Sequence, residues 1–214
     1  MRRVTVVDYG RGNLFSIARA LDYLGVAHQV SETSSGVAAA ECIILPGVGA
    51  FGDAMQGLRE RDLIAPLVAT ARAGTPILGI CLGMQVLVAQ SEEFGLHGGL
   101  DLIPGTVKRL PEGGSDPDAI RIPNVGWRTL NGVRDDPVAG TPDEMYYFVH
   151  SFTPILTDRA HVVATVSVNG FEAAAIIRRD NIYGVQFHPE KSGPAGLALL
   201  HRFVSLAGED LFAA

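Results

Sequence analysis

Three short runs, Val4–Val7, Cys42–Leu45 and Pro76–Ile80, are apolar or β-prone from end to end, and each leads into a glycine-bearing turn. A strand that is wet on one face alternates in polarity, whereas a strand apolar on both sides must be covered on both sides. After the first run the turn Asp8 to Asn13 gives way to Leu14 to Leu24, where Ile17, Leu21 and Leu24 recur at helical spacing. The second run enters Pro46-Gly47-Val48-Gly49, and the third enters Cys81 and a segment of helix formers from Met84 to Ala89. Strands alternating with helices in this way predict an α/β fold: an open, mostly parallel sheet with helices on both faces. From about Leu100 the texture changes. Tyr146 to Val149, His161 to Val168, Ala173 to Ile177 and Ile182 to Phe187 are β-prone with little helix between them, which predicts an antiparallel extension in the C-terminal half. A last helix is expected from Ala195 to Leu206. Pro111 to Asp118 consists of turn formers and is expected to be a surface loop. One domain over 1–208 is expected, with 209–214 as a frayed tail.

Apolar residues make up 47% of the 214, enough to fill one well-buried core, which excludes a disordered chain. The net charge is −6, and no basic cluster is longer than Arg2-Arg3 or Arg178-Arg179, so nucleic acid and anionic membrane are not expected as main partners. Cys42 and Cys81 are the only cysteines, too few for a disulfide framework, and a reducing, cytoplasmic setting is expected. The apolar stretch after Met1-Arg2-Arg3 ends at Asp8, too short for a signal-peptide core, and no apolar run approaches a membrane span.

Gly79-Ile80-Cys81-Leu82-Gly83 has the strand-to-helix layout of a nucleophile elbow, with cysteine at the tip. So sharp a turn brings neighbouring side chains together, and the positions two before and two after the nucleophile must therefore lack a Cβ or nearly so. A helix N-terminus beside the sulfur favours thiolate and offers the Leu82 amide to a developing oxyanion. A free cysteine is most often just a small buried residue, and Cys42, inside a continuous apolar strand, keeps that reading. The glycine frame sets Cys81 apart.

In Gln186-Phe187-His188-Pro189-Glu190 the proline holds His188 extended. Residues two apart in an extended segment face the same way, so Glu190 can orient one imidazole nitrogen while the other stays free. That is the base and orienter of a triad. His28, His97, His150, His161 and His201 lack such neighbours and read as structural or surface residues. No Cys/His spacing suits a metal, and no cofactor is expected.

Gly-Ile-Cys-Leu-Gly-Met-Gln around Cys81 together with Gln-Phe-His-Pro-Glu around His188 resembles the signature pair of the class I glutamine amidotransferases, whose triad is cysteine, histidine and glutamate. Asp8-Tyr9-Gly10-Arg11-Gly12-Asn13, Leu45 to Met55, Ser91-Glu92-Glu93, Tyr147 to Ser151 and His188 to Ser192 are similar to the branch that forms the glutaminase subunits of imidazole glycerol phosphate synthase, over about Val4 to Leu206. The resemblance implies the fold of that family and catalysis by Cys81, His188 and Glu190. It implies oxyanion contacts from the backbone of Leu82, Val48 and Gly49, and glutamine binding by Gln85 and the backbone of Gly49, Ser151 and Phe152. It implies a (β/α)8-barrel cyclase partner that uses the ammonia to make imidazole glycerol phosphate from an N-linked phosphoribulosyl ribonucleotide, with Asn13, Trp127 and Lys191 as interface candidates. Pro123-Asn124-Val125-Gly126-Trp127-Arg128 departs from the branch's usual Pro-His-Met-Gly-Trp-Asn. The glutaminase of another synthase, such as anthranilate synthase, and a catalytically silent scaffold stand as alternatives.

Overall fold

The computed structural model describes residues 3–114, 119–208 and 211–212. In chain order the elements are β1 (Val4–Val7), α1 (Leu14–Tyr23), β2 (His28–Ser31), α2 (Ser34–Ala38), β3 (Ile43–Leu45), α3 (Phe51–Glu60), α4 (Ile64–Arg72), β4 (Ile77–Ile80), α5 (Leu82–Val86), β5 (Val88–Ser91), β6 (His97–Gly98), β7 (Ile103–Arg109), β8 (Asn124–Thr129), β9 (Met145–His150), β10 (Phe152–Leu156), β11 (Val162–Val168), β12 (Phe171–Arg179), β13 (Ile182–Val185) and α6 (Gly193–Ser205).

Seven strands form the main sheet in the order β11-β12-β13-β4-β3-β1-β2. The five from β13 to β2 run parallel, while β12 pairs antiparallel with both β11 and β13, as the change in texture predicts. All residues of β1, β3, β4 and β13 are buried, which is why these strands read as unbroken apolar runs. One face is sealed by Ile17 and Leu21 of α1 with Leu199, Leu200 and Phe203 of α6. The other is sealed by Phe51, Ala54 and Leu58 of α3 with Leu67 of α4. At about 25 cal/mol per Å² of apolar surface, fully burying each such side chain contributes about 1.5–3 kcal/mol.

Three expectations need correction. The helix expected through Ala89 ends at Val86, because Val88 to Ser91 pairs with β7 on one side and β6 on the other. Tertiary pairing overrides local propensity there. The Tyr146 to Val149 run does not extend the main sheet; β9 pairs with β8 in a separate ribbon, and β10-β7-β5-β6 forms a second small sheet. The C-terminal stretch is not frayed at Leu211 and Phe212. Leu211 is fully buried and its carbonyl accepts from Ala27 N–H at 2.8 Å, while Phe212 bridges Val26. Of the loop expected over Pro111 to Asp118, residues 115–118 lie outside the described residues.

Candidate active site

The site lies at the C-terminal ends of β3, β4 and β13, where β4 passes into α5. At the tip Cys81 has φ 55° and ψ −109°, a region that costs a non-glycine residue about 1–3 kcal/mol and is held only when its surroundings dictate it. The surroundings do dictate it. A Cβ on Gly83 would collide with the Leu45 carbonyl oxygen, and one on Gly79 would sit 2.5 Å from the Gly83 carbonyl oxygen. The two glycines of the motif are thus required by close backbone approach, as the sequence predicts.

His188 is buried and extended. Its N–H donates to the Tyr147 carbonyl at 2.9 Å, and its own carbonyl accepts from the Ser192 hydroxyl at 2.6 Å. Its Nδ1 donates to Glu190 Oε1 at 2.8 Å, and the two side chains are only 3% and 1% exposed. Burial alone would lower the imidazole pKa, but hydrogen bonds to Cys81 and Glu190 and their negative charge outweigh it and raise it to about 9. At neutral pH the ring therefore carries both protons, one held by Glu190 and one facing the sulfur.

Cys81, His188, Val48, Gly49, Leu82, Gln85, Ser151 and Phe152 line a single cavity of about 410 Å³, large enough for a small molecule. All the residues named from the sequence for catalysis, oxyanion and substrate therefore converge, with Glu190 directly behind His188. Asn13, Trp127 and Lys191 lie outside this cavity. Asn13 caps α1 through its side chain, Trp127 is 47% exposed and packs edge-on to Tyr147 at 6.0 Å, and Lys191 is exposed on the turn after Glu190.

Several residues escaped the sequence reading. Gln186 donates to the Cys81 sulfur at 3.7 Å and accepts from Gln85 Nε2 at 3.1 Å. Its signal was present, since it lies two residues before His188. Gln85 also donates to the Phe152 carbonyl at 3.1 Å, so its amide group braces the wall of the cavity. His150 is not a surface residue. It lines the cavity with Nδ1 donating to the Phe152 carbonyl at 2.9 Å and Nε2 accepting from Asn124 at 3.0 Å. Burial pushes its pKa down to about 4; the Phe152 carbonyl opposes this and His188 adds to it. Glu93 is also buried at the cavity wall, where it accepts the Phe51 N–H at 2.7 Å and so caps α3, whose N-cap residue Ala50 makes no side-chain cap.

Two of the three amides expected to hold an oxyanion, those of Leu82 and Val48, are occupied. Leu82 N–H donates to the Gly47 carbonyl at 3.3 Å, and Val48 N–H donates to the Arg11 carbonyl at 3.3 Å. Gly47 C=O and Val48 N–H are opposite edges of one planar peptide, so one rotation would free the first amide and turn the second. Such a rotation turns about the Gly47 Cα–C and Val48 N–Cα bonds, and Gly47 has no side chain to hinder it. Among the described residues no group of three or more His, Cys, Asp or Glu could hold a metal ion.

A cysteine on a strained strand-to-helix turn, faced by a histidine that a carboxylate orients, defines a cysteine-dependent acyl-transfer site on a mostly parallel α/β sheet. The family description "Glutamine amidotransferase class-I" matches residues 5–206, and the chain belongs to that family. It is 46% identical over 211 residues, covering 97% of this chain and 96% of the relative, to the imidazole glycerol phosphate synthase subunit HisH of Desulfitobacterium hafniense. It is 45% identical over 208 residues to the same subunit of Moorella thermoacetica, with 96% of each chain covered. The fold is also that of a crystallised glutamine amidotransferase (TM-score 0.70, 18% identity, 95% and 98% of the two chains) and of PurLQS from Thermotoga maritima (TM-score 0.70, 21% identity, 96% and 98%).

Proposed function

We propose that this chain is the glutaminase subunit of an imidazole glycerol phosphate synthase, acting as one catalytic domain in the cytoplasm. The observation that carries the reading is the Cys81, His188 and Glu190 constellation at one end of a cavity sized for a free amino acid. The HisH relatives, matched along nearly their whole length, support the synthase and the histidine-biosynthesis setting. Among the described residues no helix is long and apolar enough to cross a membrane.

In the proposed reaction the Cys81 sulfur attacks the side-chain amide carbon of glutamine. The tetrahedral oxyanion falls to the Leu82 amide and to the Val48–Gly49 backbone once these are turned to it. The His188 imidazolium protonates the departing nitrogen, the carbon–nitrogen bond breaks, and ammonia leaves behind a γ-glutamyl thioester. His188, now neutral, takes a proton from water; the hydroxide displaces sulfur and glutamate departs. Glu190 keeps the ring in the tautomer and orientation that both halves need. The buried Glu93 carboxylate, with one oxygen on Phe51 N–H, can accept the α-ammonium of glutamine with the other. No cofactor takes part.

Ammonia released into water is protonated and lost as a nucleophile, so a (β/α)8-barrel cyclase seated over the cavity mouth is the proposed partner. Trp127 on the ribbon, Asn13 before α1 and Lys191 beside the catalytic turn are its proposed contacts. The test mixes the chain with glutamine, with and without the cyclase and its ribonucleotide ligand, and measures glutamate. Release stimulated by the liganded cyclase and abolished by Cys81→Ala is expected. Release that survives this substitution, or that answers only to a chorismate-binding subunit, would sink the assignment.

A further inference from the structure

Tyr9 follows β1 and carries a buried polar atom for which the catalytic scheme above has no use. The residue is 1% exposed, and its hydroxyl has no hydrogen-bond partner among the described residues. An orphaned buried hydroxyl is rare enough in proteins to call for a reason. The place of this one is specific: a Cβ built on Gly47 would lie 2.5 Å from the Tyr9 hydroxyl, 2.7 Å from Gly83 N and 2.8 Å from Leu82 Cβ. The phenol is wedged between the loop that carries Gly47 and Val48 and the elbow that carries Cys81. Burial, with Cys81 nearby and Arg11 opposing, pushes its pKa far up, so the oxygen stays protonated and can donate.

A second orphan arises in the turned state. When the Gly47–Val48 peptide rotates, the Gly47 carbonyl gives up the Leu82 N–H. Gly47 is itself buried, so a carbonyl turned away from Leu82 needs another donor. We propose that Tyr9 is a positioning residue whose hydroxyl receives the Gly47 carbonyl in the turned state, so that the Leu82 and Val48 amides are released together to the oxyanion. This rests on the glutaminase reading above. A single contact then satisfies both orphans, and it exists only in the competent conformation. Tyr9 would thus bias a two-state peptide towards activity at the expense of the resting state.

Tyr9→Phe removes the oxygen and little else. In the complex with the liganded cyclase, kcat for glutamine hydrolysis is expected to fall by about three- to tenfold, the share of one net hydrogen bond, with KM changed less than about twofold. Alkylation of Cys81 by iodoacetamide, which needs no oxyanion hole, is expected to keep its wild-type rate. The thermal midpoint of the isolated variant is expected to equal or exceed that of the wild type, because the resting state loses an unpaired buried group. A merely structural tyrosine would lose midpoint and activity together. Unchanged kcat, or a fall in kcat matched by a fall in midpoint, would overturn the proposal. A wild-type complex that released no glutamate would instead defeat the glutaminase reading itself, so the two failures are told apart.

Discussion

His188 and His150 are two buried imidazoles of one cavity pushed in opposite directions, and the difference lies in what each ring nitrogen faces. His188 faces the Cys81 sulfur and the Glu190 carboxylate and rises to about 9; His150 faces a carbonyl and a neutral amide and falls to about 4. Because the His150 value is depressed below its ordinary 6.5, the unfolded chain binds the proton more readily. Stability is therefore lost as pH falls from about 6.5 to about 4. At about 1.4 kcal/mol per tenfold, this one ring accounts for roughly 3 kcal/mol of acid sensitivity. Urea unfolding of His150→Gln across that range should show a flatter profile than wild type; an equal slope would contradict the assignment. For His188 the sign is reversed. Its raised value contributes stability that is complete below about 6.5 and lost as pH climbs through about 9. Glu190→Gln removes one of the groups holding the proton, so the alkaline limb of kcat should move to lower pH. The same change should lower kcat on the order of a hundredfold, by misorienting the ring.

At the scale of the element, the elbow depends on absent atoms. Gly83→Ala would force a Cβ against the Leu45 carbonyl of the neighbouring strand, neither side of which can yield cheaply. A loss of about 1–3 kcal/mol, read from the urea midpoint, is expected. Gly98→Ala in β6, where a Cβ meets nothing within 4 Å, should stay within about 0.5 kcal/mol and serves as the control. The elbow was legible in the sequence because its requirements are local: an apolar strand, two glycines and a cysteine within a few residues. β1, β3, β4 and β13 were legible for the same reason, as each is buried along its whole length. β5 was not, since Val88 to Ser91 becomes a strand only through partners that begin at His97 and Ile103. Nor was the tie of His150 to Asn124, which depends on β8 and β9 pairing across 26 residues of chain. The triad escaped this limit because His188 and Glu190 are two residues apart, and because the β13–β4 pairing, which sets His188 beside Cys81, is implied by two apolar strands of one parallel sheet.

For the molecule as a whole, the surface left apolar indicates where a partner belongs. On the ribbon, Tyr146, Phe148 and His150 turn into the core, while Val125, Trp127, Met145 and Val149 are exposed, with Val125 directly across from Val149 and Trp127 across from Tyr147. Val149 also lines the cavity that holds Cys81 and His188, so this apolar face is continuous with it. The ribbon is bonded to the turn that carries His188 as well: the Tyr147 carbonyl accepts from His188 N–H at 2.9 Å, and the Tyr147 N–H donates to Ser192 Oγ at 2.9 Å. A subunit that docks on Trp127 would therefore press on the backbone that holds His188. Large aromatics at the centre of an interface typically contribute about 2 kcal/mol or more, so Trp127→Ala should weaken the complex with the cyclase about thirtyfold in Kd. Glutamine turnover by the isolated chain should not change. Leu206→Ala is the matched control. Leu206 is 40% exposed beside Ala40, Glu41 and Thr75, which precede β3 and β4 and so lie at the N-terminal ends of these strands, the opposite end from Cys81. It should leave Kd untouched, and titration calorimetry of both variants would decide the matter. Equal affinities for Trp127→Ala and wild type would place the cyclase on another face.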